Sequence, residues 1–98
     1  MRVMDDSTRQ FIGHLADISP RGFKIDATEP MMEGRDLRLR LDLTPDISDK
    51  DHMTFIAKTK WCQRDSYDPG LYNVGFEIIR ISPLDVDVYQ RMVEKYGS

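Results

Sequence analysis

Apolar and polar residues alternate through most of the chain. Leu37, Leu39, Leu41 and Leu43 alternate with Arg38, Arg40 and Asp42, the period-two pattern of a strand with one buried face. Met53, Phe55, Ala57, Thr59 and Trp61 share one face of another strand, with Lys58 and Lys60 on the other, which predicts Trp61 in the core. Shorter stretches at Arg2–Met4, Phe11–Ile18 and Phe23–Ala27 and a longer one from Leu71 to Ile81 complete about six predicted strands. The breaks between them are turn-forming: Asp5-Asp6-Ser7-Thr8, Pro20 to Gly22, Glu29-Pro30 with Glu33-Gly34 around Met31 and Met32, and Ser66 to Gly70. Neighbouring strands therefore pair antiparallel. Gly13 is expected to mark a bulge, and Pro45 with Asp46, Asp49 and Asp51 a solvated loop.

After Ile81 the period changes. Leu84, Val88, Met92 and Tyr96 recur every four residues, flanked by Tyr89 and Val93, which predicts an amphipathic helix over about 83–96. Ser82 supplies a hydroxyl cap, Pro83 the first helical position, Asp85 a carboxylate near the helix dipole, and Gly97 a stop. The fold class is mainly β: one domain over 1–98, a small six-stranded antiparallel barrel over about 1–81 covered by a C-terminal helix. If Tyr89 and Val93 lie outside the packed face, they form an apolar strip suited to a partner or a second copy.

Composition narrows the function. The 98 residues are 40% hydrophobic and 32% charged, an ordinary globular balance for a domain with one core. A net charge of -3 excludes a broad phosphate-binding face and so a nucleic-acid polymer as partner. Cys62 is the only cysteine, which rules out an internal disulfide and a CxxC site and fits a reducing cytoplasm. The N-terminal residues lack the apolar core of a signal peptide, and no apolar run approaches a membrane span. His14 and His52 have no metal-ligand spacing with a carboxylate. With no nucleophile, base and orienting group together, the chain reads as a non-enzyme that needs no cofactor.

The remaining candidate chemistry lies in "LADISPRGFKI", residues 15–25. Asp17-Ile18-Ser19-Pro20-Arg21-Gly22 has the form DxSxxG and resembles the motif of PilZ domains, bacterial receptors for cyclic di-GMP. "EPMMEGRDLRLRLDL", "KTKWCQRD" and "YNVGFEIIRISPLDVDVYQRMVEKYG" are similar to that family's loop and long strand, its next strand, and its last strand and helix. The resemblance implies a nucleotide-binding signalling module with cyclic di-GMP as ligand. Asp17 would accept the guanine N1–H and exocyclic amine, and Ser19 would bond a phosphate oxygen or its own turn. Gly22 would reverse the chain at positive φ and let a base approach the backbone.

The family's second element, an RxxxR pair before the first strand, has no counterpart within these residues: Arg2 is followed four positions later by Asp6, Arg9 by Gly13 and Arg21 by Ile25. At roughly 1.5–3 kcal/mol for each charged hydrogen bond, two missing arginines cost on the order of 3–6 kcal/mol, or about two to four decades of affinity. Arg9 and Arg21 are the nearest substitutes. Two readings stay open: a ligand-binding module using Asp17, Ser19, Gly22, Arg21 and Arg9, or a nucleotide-independent protein-interaction module, with a protein partner or as a homodimer, working through the helix or the Met31-Met32 loop.

Overall fold

The computed structural model describes residues 1–97. Six strands, β1 (Arg2–Asp5), β2 (Phe11–Ser19), β3 (Gly22–Ala27), β4 (Asp36–Asp42), β5 (His52–Arg64) and β6 (Tyr72–Ile81), precede one helix, α1 (Val86–Tyr96). They close into an antiparallel barrel in the order β1-β2-β3-β6-β5-β4. This is the architecture expected from the alternation, and closure leaves no sheet edge running the length of the domain.

The inward positions of each strand build the core. Leu39 and Leu41 of β4 and Met53, Phe55 and Ala57 of β5 are buried with Val3, Ile18, Ile25 and Val74. Phe23 stacks on Phe76 at a centroid separation of 5.0 Å and meets Phe55 edge-on at 5.4 Å, the offset geometries that aromatic quadrupoles favour. Thr59 is buried too, and its hydroxyl has no hydrogen-bond partner among the described residues. The register of β1 against β2 steps between Val3–Gly13 and Met4–Phe11, so the irregularity expected at Gly13 falls beside it.

Helix α1 buries Val88, Tyr89 and Met92 against the barrel. It starts later than the sequence suggests. Ser82 to Asp85 form a turn in which the Ser82 carbonyl accepts the Asp85 N–H at 2.8 Å and its hydroxyl accepts the Leu84 N–H at 3.3 Å. Asp85 is then the cap residue, and Leu84, expected on the packed stripe, is 86% exposed. Tyr89 is buried and Val93 is half-buried against the core, so these two do not form the outward strip considered for a partner.

The segment between β4 and β5 is more than a solvated loop. Ile47 is buried in the core. Lys50 Nζ lies 2.5 Å from the buried Asp85 carboxylate, and Asp46 pairs with Lys95 and accepts the Tyr96 hydroxyl. One loop thus grips both ends of α1. The ion pair with Lys95 holds the Asp46 carboxyl well below the usual carboxylate range, and the same contact with Asp46 raises the Lys95 ammonium.

Candidate nucleotide-binding groove

The site is set by two bulges. Along β2 and β3, Leu15 pairs with Ile25 but Asp17 pairs with Lys24, which leaves Ala16 as the extra residue. With regular alternation Asp17 would oppose Phe23 and point into the core; the bulge turns it onto the outer face and sends Ile18 inward. The same device operates in β5. Thr59 pairs with Phe76 and Trp61 with Gly75, leaving Lys60 as the extra residue. Trp61 therefore leaves the core position that alternation predicts for it and is 38% exposed, while Cys62 takes the inward place opposite Val74.

These displacements place four residues in one row across four adjacent strands. Asp17 on β2 is paired with Lys24 on β3, Lys24 with Gly75 on β6, and Gly75 with Trp61 on β5. At roughly 4.8 Å between strands the row spans about 14 Å. The indole lies over Gly75: a Cβ there would overlap Trp61 Cε2, Nε1 and Cζ2. Glycine inside the strand is what lets the ring lie against the backbone.

A groove of about 320 Å³ follows this row, lined by Asp17, Ser19, Arg21, Lys24, Lys60 and Trp61 with Gly22 and Glu77. That volume is at the low end of the roughly 300–1,000 Å³ usual for small-molecule sites. Three cations, Arg21, Lys24 and Lys60, face two carboxylates, Asp17 and Glu77, so the groove is locally positive on a chain of net charge -3. The field of Lys24 reaches the neighbouring tip, where the Asp65 carboxyl is held low first by the Asp68 and Tyr67 backbone N–H groups and further by this ammonium.

Within the motif, Asp17 Oδ1 accepts the Ile18 N–H at 2.9 Å, and the Ser19 hydroxyl donates to the Gly22 carbonyl at 3.3 Å. Gly22 does not adopt the positive φ expected of it; among the described residues only Arg9 and Gly34 do. Its glycine is required by close approach, because a Cβ would collide with the Phe76 carbonyl of β6. Arg21 lines the groove. Arg9 is not brought there. It occupies the β1–β2 turn at φ 63°, with its N–H bonded to the Asp5 carbonyl at 2.8 Å and its guanidinium 3.7 Å from Asp6. About 20 Å of β2 separates Phe11 from Asp17 at roughly 3.3 Å per residue.

Sequence reasoning missed Lys24, Lys60, Trp61 and Gly75. A glycine inside a strand, across from a tryptophan, was the available signal, but linking them needs a register that the Lys60 bulge shifts. Elsewhere, Cys62 Sγ accepts the Met31 N–H at 3.4 Å, which ties the loop before β4 to β5; Met31 packs on the core, whereas Met32 is 71% exposed.

None of the curated proteins and none of the solved structures matches the chain. The family model of the PilZ domain matches residues 2–95, nearly the whole length and every element of the barrel and helix. That family consists of binding modules rather than enzymes and includes receptors for cyclic di-GMP. With the closed six-stranded barrel, the C-terminal helix and this match together, the chain belongs to the PilZ domain family.

Proposed function

We propose that this domain is a cytoplasmic receptor for cyclic di-GMP whose groove, with no RxxxR pair within residues 1–98, holds the nucleotide by a stacking platform and lysines. The observation that supports it is the cross-sheet row Asp17–Lys24–Gly75–Trp61. A guanine stacked on the exposed indole presents its N1–H and amine edge toward carboxylate acceptors, and Asp17 and Glu77 are the two in the groove. Lys24, Lys60 and Arg21 meet the phosphates as point charges and one planar fork.

Base stacking on an aromatic side chain contributes roughly 1–3 kcal/mol, against the roughly 3–6 kcal/mol forgone with two arginines. The balance, a loss of about 0–5 kcal/mol, weakens a micromolar site by at most about three and a half decades, to a Kd between about 1 µM and a few mM. Calorimetric titration of the intact chain with cyclic di-GMP tests this. Binding in that range, abolished in Asp17→Ala and weakened in Trp61→Ala, supports the reading; no heat at millimolar nucleotide refutes it.

A second reading, protein interaction through the helix, is favoured by Ile79 near the end of β6 and Leu84 and Val86 at the start of α1, each of them exposed. It predicts a concentration-dependent mass or a co-purifying partner that is lost in Val86→Asp. Among the described residues no helix is long and apolar enough to cross a membrane.

A further inference from the structure

The hairpin turn of the motif lacks the backbone that normally closes a two-residue loop. Ser19 pairs with Gly22 across Pro20 and Arg21, and such loops favour turns with positive φ, whose twist matches the strands. Neither turn residue has positive φ, so the turn's own geometry would let β2 and β3 splay. Its carbonyls are held from below instead. The Tyr89 hydroxyl of α1 lies 2.7 Å from the Ser19 carbonyl and 2.9 Å from the Gly22 carbonyl. A phenol has one proton, so the two acceptors share it. Tyr89 is 6% exposed, and burial pushes its hydroxyl above the ordinary phenol range, which keeps it a donor.

The placement of this contact gives it a consequence. Ser19 and Gly22 line the nucleotide groove. Pro20 and Tyr89 line a second, apolar groove of about 370 Å³ between β6 and α1, with Ile78, Ile81, Val86 and Val93. The turn is therefore a wall with the groove on one side and the helix on the other. The Ile78 N–H, bonded to the Arg21 carbonyl at 2.9 Å, fastens that wall to β6.

We infer that Tyr89 is a positioning residue that makes the docking of α1 and the shape of the Ser19–Gly22 corner one equilibrium, so that whatever orders one orders the other. Linkage requires the effect to be reciprocal: a ligand held by the corner stabilises the docked helix, and a partner that pulls on α1 changes affinity in the groove. The ligand arm rests on the proposed function; the coupling itself does not.

Hydrogen exchange of the intact chain without nucleotide tests the coupling. Tyr89→Phe keeps the ring and removes the proton. It is expected to speed amide exchange about five- to tenfold, the loss of one net hydrogen bond, in Ser19–Phe23 and α1, leaving the β4–β5 hairpin unchanged. Val93→Ala, which loosens the helix by packing alone, is expected to speed exchange in the turn and in α1 in the otherwise native chain. In the Tyr89→Phe background it should act on α1 only. An equal effect of Val93→Ala on the turn in both backgrounds, or a uniform rise over the barrel in Tyr89→Phe, overturns the inference. Cyclic di-GMP is then added: protection of α1 in the native chain but not in Tyr89→Phe supports the coupling, and equal protection in both counts against it. Absence of binding to the native chain removes the proposed ligand while the nucleotide-free arm still decides the coupling.

Discussion

Replacing Gly75 with alanine should destabilise the domain through one named collision, and the effect should change sign when Trp61 is absent. A Cβ at position 75 overlaps three atoms of the indole, so the ring must lift from the sheet. A whole tryptophan side chain buries about 150–250 Å²; losing the face that lies on β6, roughly a third of that, exposes about 50–80 Å² and costs about 1.2–2 kcal/mol. Alanine returns about 0.5–1 kcal/mol relative to glycine inside a strand. The net loss is about 1 kcal/mol, a fall in Tm of about 4–8 °C for a domain of this size. In Trp61→Ala only the backbone term remains, and Gly75→Ala should then stabilise by about 0.5–1 kcal/mol. Thermal denaturation of the four proteins measures the cycle, and the emission of the only tryptophan should shift to the red in Gly75→Ala. An unchanged spectrum with unchanged Tm, or the same sign in both backgrounds, would refute the stacked geometry.

Four other outcomes are expected. Ile47→Ala should cost about 2–4 kcal/mol in urea denaturation, because Ile47 is a core residue; a loss under about 0.5 kcal/mol would return the segment to the status of a solvated loop. Thr59→Val should raise stability by about 1 kcal/mol, since a buried hydroxyl without a partner is replaced by an apolar isostere; a lower urea midpoint would show that the hydroxyl is satisfied. Lys50→Met should cost about 1–3 kcal/mol by leaving the buried Asp85 carboxylate without its cation, and the loss should shrink in Asp85→Ala. The Asp46 carboxyl is depressed in the folded state, so its contribution is present above the ordinary carboxylate pKa and fades as pH falls below it. Urea midpoints between pH 7 and pH 3 should therefore fall more steeply in the native chain than in Asp46→Asn, and parallel curves would contradict the assignment.

Strand alternation made the barrel legible because most inward positions obey period two without interruption: Leu39 and Leu41, Met53 to Ala57, and Phe23 and Ile25 face the core as read. The family and its motif were legible for the same reason, since Asp17 to Gly22 are contiguous in the chain. What stayed hidden depends on register. One extra residue at Ala16 and another at Lys60 reverse which face the following side chain takes, and no local pattern announces a bulge made of ordinary residues. Trp61 was therefore assigned to the core and Lys60 to the opposite face, and Lys24 was given no role. The helix start was misplaced because Ser82-Pro83 can open either a helix or a turn, and the Lys50–Asp85 pair, 35 positions apart, favours the later start. Gly22 was identified by type but for the wrong reason: its requirement comes from the neighbouring strand β6, which the motif does not contain.

The most direct test of the account is a titration with cyclic di-GMP followed at the side-chain N–H resonance of Trp61 and the backbone amides. A nucleotide base stacked on the indole should shift that resonance upfield, together with the amides of Asp17 to Lys24 and of Gly75, and leave the turn containing Arg9 unmoved. Saturable binding that shifts the Arg9 turn and spares Trp61, or an indole resonance that stays fixed at millimolar nucleotide, would contradict it.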